Sequence, residues 1–77
     1  MRRTVLIEAR KNKKLTRELV SRELSISTVY LRKLENGTSK PGRDLMVRME
    51  HYYGLSIREL FPDIFLPFTD TDFSEEE

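Results

Sequence analysis

The sequence has no cysteine, which excludes a disulfide framework and any thiolate metal site as a supplement to the core. Long apolar runs are missing too. The opening stretch Met1-Arg2-Arg3-Thr4-Val5-Leu6-Ile7-Glu8 is cut by charge well before a signal peptide's apolar region or a membrane span is complete. A soluble, cytoplasmic protein is the expectation. The single histidine, His51, has no cysteine beside it and no partner for proton transfer, so it reads as a surface residue rather than a metal ligand or general base. There is no internal repeat. A chain of 77 residues suits one small domain, which buries only about 60% of its unfolded surface and leaves little room for an enzyme pocket. Neither catalysis nor a cofactor is expected.

Basic residues are also unevenly absent. Residues 1–61 hold all 14 Lys and Arg against 7 Asp and Glu, a formal charge of +7, whereas 62–77 hold 6 acids and no base, a formal −6. A compact basic domain suits a polyanionic partner, because each neutralised phosphate releases condensed counterions. A solvated basic face would show the same count.

Along the chain, Thr4 is a candidate cap for a first helix reaching about Lys13, with Val5, Leu6 and Ala9 inward. Thr16 is the next cap, with Glu18 at the positive end of the helix dipole and Val20 and Leu24 inward. Ser25-Ile26-Ser27 breaks the pattern, and Ser27 can accept from a free backbone N–H of the helix that follows. That third helix ends at Asn36-Gly37, a pair that tolerates a left-handed backbone. Pro41 suits the first turn of a fourth helix, which runs to Tyr53 with Leu45, Met46, Met49 and one of Tyr52 or Tyr53 inward, and stops at Gly54. Ser56-Ile57-Arg58-Glu59 has capping-box spacing and opens a brief fifth helix carrying Leu60 and Phe61. Pro62 ends it or begins its exit. The segment Met1-Arg2-Arg3 reads as a frayed end. Residues 62–77 form an apolar and then acidic tail, whose run from Ile64 to Phe68 is suited to covering the domain's own core, forming a dimer contact or binding a partner, with the dimer contact favoured, and whose end from Asp70 to Glu77 reads as disordered.

On a wheel of about 100° per residue with Thr28 at zero, Arg32 falls near 40°, Asn36 near 80°, Val29 near 100° and Lys33 near 140°; Leu31 and Leu34 fall near 300° and 240°. One face of the third helix is apolar. The other groups small, amide and cationic side chains, which is what reading base edges in a groove requires, although an ordinary amphipathic surface helix gives the same wheel.

The string from Leu15-Thr16-Arg17 through Ser21 and Ser25-Ile26-Ser27, followed by Leu31, Leu34-Glu35-Asn36-Gly37 and Pro41, resembles the Cro/repressor-type, XRE-like helix-turn-helix family. That family's pattern is a Leu-Thr-Gln opening, a small residue four before the turn, a turn hydrophobe followed by Ser, and Ile-Glu-Asn-Gly ahead of a Pro. The spacings match without a gap, and the likeness covers about residues 4 to 61. It implies an all-α fold, a compact five-helix bundle, over residues 1–61. It further implies a bacterial or phage transcriptional regulator at the nucleoid, a repressor that binds palindromic double-stranded DNA as a homodimer. Thr28, Val29, Arg32 and Lys33 would face bases, while Thr16, Arg17, Ser27, Asn36, Lys40 and Arg43 would meet the DNA backbone. An ion pair between Arg10 and Glu35 is implied as well. The chain departs from the pattern with Arg17 for Gln, Ser25 for Gly, Ser21 for Ala, and Glu50 at a usually small apolar position. The alternative reading keeps the fold as an antitoxin-like, protein-binding module.

Overall fold

The computed structural model describes residues 2–65, with Phe65 as backbone only. The apolar stretch after Phe65 and the acidic end, with the dimer contact and disorder expected there, lie outside the described residues. Among the described residues six helices follow one another: α1 (Thr4–Asn12), α2 (Arg17–Leu24), α3 (Thr28–Asn36), α4 (Arg43–Tyr53), α5 (Ile57–Leu60) and α6 (Pro62–Phe65). The described residues contain no strand, so the all-α expectation holds. The helix total differs by one. Pro62 opens a further turn instead of ending the fifth helix, because its fixed φ and missing N–H suit a first helical position.

Three helix starts follow local chemistry. The hydroxyls of Thr16, Ser27 and Ser56 accept from the backbone N–H groups of Leu19, Tyr30 and Glu59, and the Glu59 carboxylate in turn accepts from the Ser56 N–H. Two starts differ from expectation. Arg3, not Thr4, precedes α1, because its N–H donates to the Glu35 carbonyl at 2.9 Å and fixes the chain one residue earlier. Pro41 is buried ahead of α4, whose first turn follows Gly42 in extended conformation.

Helix ends share one closure. At α1, α2 and α3 the chain turns through a left-handed residue, Lys14 (φ 58°), Ser25 (φ 59°) and Gly37 (φ 80°). In each, the next N–H reaches back to an exposed helix carbonyl: Leu15 to Arg10 at 3.1 Å, Ile26 to Ser21 at 2.9 Å, Thr38 to Lys33 at 3.0 Å. Only one of the three has glycine, so the other two carry the Cβ penalty of that conformation.

The core draws side chains from α1 to α5. Leu6, Val20, Leu31, Leu34, Met49, Leu60 and Phe61 are fully buried, with Leu15, Ile26 and Ile64 packed at its margin. Arg3 just ahead of α1 and Leu6, Ile7 and Arg10 within it form the inward stripe, the i, i+3, i+4, i+7 pattern of one helix face, with Ala9 also buried; Val5, expected inward, is 38% exposed. Ser21 is 3% exposed where α2 crosses α3, and its hydroxyl has no hydrogen-bond partner among the described residues.

Candidate nucleic-acid interface

The α2–turn–α3 unit presents its third helix outward. Leu31, Leu34 and Glu35 are fully buried, while Thr28, Val29, Arg32 and Lys33 are exposed, Val29 by half. Among the described residues no carboxylate pairs with Arg32, Lys33, Lys40 or Arg43. These cations are therefore available to an external anion. Thr16 and Ser27 stand at the N-termini of α2 and α3, where unpaired backbone N–H groups and the helix dipole favour phosphate. Lys40 is exposed in the loop before α4, Arg43 is exposed at its first turn, and Asn36 is half-buried in the last turn of α3.

Behind this face lies a buried charge network. Arg10 places Nε 2.7 Å from Oε2 of Glu35 and Nη2 3.3 Å from Oε1, and its Nη1 donates to the Leu15 carbonyl at 3.0 Å. The pair implied by the family likeness is thus present. A second arginine joins it: Arg17 donates its Nε to Oε1 at 2.9 Å while its side chain stays 35% exposed. The signal for this partner was in α3, where Glu35 is the only acid and lies on the apolar face; a carboxylate there must be matched by cations.

Arg3 is the residue that sequence reasoning missed. Far from fraying, it is 1% exposed. Its Nε and Nη2 hold both carboxylate oxygens of Asp63 at 2.9 Å, and Nη1 donates to the carbonyls of Leu34 at 2.6 Å and Ser39 at 2.8 Å. The guanidinium also stands 5.3 Å from the centre of the Phe61 ring, on its face. These hydrogen bonds, before all else, hold the Asp63 carboxyl below its ordinary range.

Two further side chains tie α4 to α2. Arg48 donates to the Leu24 carbonyl at 2.8 Å, and the Tyr52 hydroxyl donates to the Glu23 carboxylate. Loss of hydration, reinforced by Glu23, pushes the Tyr52 hydroxyl up to about 12. Tyr53 is 4% exposed, packs edge-on against Tyr52 at 5.1 Å, and is also raised, by burial first and then by the charge of Glu35. These rings are packing elements rather than a stacking platform. His51 is exposed. Among the described residues no cluster of His, Cys, Asp or Glu is arranged for a metal ion, and no helix is long and apolar enough to cross a membrane.

A family model described as helix-turn-helix matches residues 6–60, which spans α1 to α5. Neither the curated proteins nor the solved structures give a significant match. With an outward third helix on an apolar back, side-chain caps at the starts of α2 and α3, and this match over most of its length, the chain belongs to the XRE-type helix-turn-helix family of DNA-binding regulators.

Proposed function

We propose that the chain is a cytoplasmic transcriptional repressor that binds a palindromic operator as a homodimer. The observation that carries this reading is the outer face of α3: Thr28, Val29, Arg32 and Lys33 are all exposed, the two cations have no carboxylate partner among the described residues, and the helix behind them is fixed. Arg32 and Lys33 would donate to guanine O6 and N7, and Thr28 and Val29 would meet thymine methyl groups. Thr16, Arg17, Ser27, Asn36, Lys40 and Arg43 would meet phosphates and set the register without reading sequence. One such helix spans few base pairs. Two copies place their recognition helices about one helical turn apart, about 34–36 Å, and so read a two-fold symmetric site.

The test is selection of bound duplexes from a random DNA pool with the full chain. A recovered palindrome with half-sites one turn apart is the expected result. Enrichment of an asymmetric site would overturn the homodimer, and no enrichment would overturn sequence-specific binding.

A further inference from the structure

The network around Arg3 links parts of the molecule that no other side chain among the described residues joins: the start of α1, the last turn of α3, the loop from Gly37 to Pro41, and α6. Its two functional neighbours are the carbonyls. Leu34 lies in α3 one residue after Lys33, and Ser39 directly precedes Lys40, which with Arg43 stands exposed at the entrance to α4. Among the described residues the one other side-chain bond from this loop to the recognition helix is that of the Thr38 hydroxyl, which donates to the Lys33 carbonyl at 3.3 Å. Asp63 in turn fixes Arg3, engaging it with both oxygens in a two-pronged geometry that only a guanidinium supplies.

We propose that Arg3, held by Asp63, is a positioning residue for DNA binding: it fixes the loop bearing Lys40, and with it Arg43, relative to α3, so that both cations meet phosphates while α3 lies in the groove. The inference rests on the DNA-binding reading above. Arg3 touches no DNA itself. It is fully enclosed, and four of its bonds are to the protein's own groups. Loss of the Asp63 carboxylate leaves an enclosed guanidinium without its counter-charge, so Arg3 withdraws toward water and releases both carbonyls.

The experiment compares the full-length chain with Asp63→Asn and Arg3→Lys, measuring affinity for one mixed-sequence DNA duplex between about 50 and 200 mM salt. A third variant, Val20→Ala, truncates a fully buried side chain of α2 that takes no part in the Arg3 network and serves as a stability control. The expected result is a drop in the log–log salt slope of about 1 to 2 for Asp63→Asn and Arg3→Lys, because each lost phosphate contact removes about 0.9 from it. Val20→Ala should keep the wild-type slope. Faster amide exchange at residues 37–42 in the first two variants should accompany the drop and would be visible without DNA. An unchanged slope in both variants, beside salt-dependent binding by the wild-type chain, would overturn the positioning role. Salt-independent or absent binding by the wild-type chain would instead overturn the DNA-binding reading.

Discussion

Arg17 and Arg10 share one carboxylate: Oε1 of Glu35 accepts from Arg17 at 2.9 Å and also from Arg10 at 3.3 Å, while Oε2 belongs to Arg10 alone. Glu35 is fully buried, Arg10 is 10% exposed and Arg17 35% exposed. The two cations therefore differ in what they stand to lose. Glu35→Ala leaves Arg10 enclosed without its counter-charge and should destabilise the fold by roughly 3–5 kcal/mol. Arg17→Ala removes a partner that water can partly replace, and should cost about 1 kcal/mol or less. Urea unfolding measures both, and equal losses would contradict this division.

The outer face of α3 should separate binding from stability. Arg32→Ala and Lys33→Ala should each weaken binding to the selected duplex by about 1–3 kcal/mol and relax preference at one base position. Their unfolding free energies should stay within about 0.5 kcal/mol of wild type, since both side chains are exposed and without ion-pair partners among the described residues. Lys40→Ala should weaken binding to every sequence alike and lower the salt slope by about 1.

Two departures from the family pattern each carry a cost that can be removed. Ser25 has φ 59° and ψ 43° at the close of α2, and Ser25→Gly should stabilise the domain by up to about 1 kcal/mol. Ser21 buries a hydroxyl with no partner among the described residues, so Ser21→Ala should also stabilise, by about 1 kcal/mol. Thermal unfolding checks both. A fall in Tm for Ser21→Ala would mean that the hydroxyl is satisfied in solution.

Stability should fall at both ends of the pH range for separate reasons. The folded Asp63 carboxyl is held below the unfolded value of about 3.9, so its contribution is present above that value and is lost as acid takes the pH down through the folded one. Asp63→Asn should flatten this acid limb. Tyr52 is raised from the ordinary 10.0 to about 12; its contribution is present below about 10 and disappears as the pH rises through about 12. Absorbance titration should show Tyr52 ionising well above a free tyrosine, and Tyr52→Phe should remove that transition.

Much of the fold could be read from short-range chemistry. The caps at Thr16, Ser27 and Ser56, the glycine exits at Gly37 and Gly54, and the apolar back of α3 each involve residues within one or two helical turns, so a linear pattern carries them. What escaped was long-range or disguised as surface. Arg3 belongs to the inward stripe of α1, yet as an arginine near the chain's start it reads as solvated, and its partner is 60 residues away. Lys14 adopts a left-handed turn with no sequence cue at all. Arg17 reads as a phosphate contact, and only the folded arrangement of α2 beside α3 shows that its Nε is already engaged by Glu35.

The bond between Arg3 and Asp63 also has a kinetic meaning. It closes a loop of 60 residues, and the entropy of bringing such distant points together is lost before the contact repays it. Contacts of that span form on the native side of the folding barrier when shorter-range packing such as α2 on α3 leads. Arg3→Lys should then speed unfolding of the domain more than it slows folding, which stopped-flow kinetics in urea would measure.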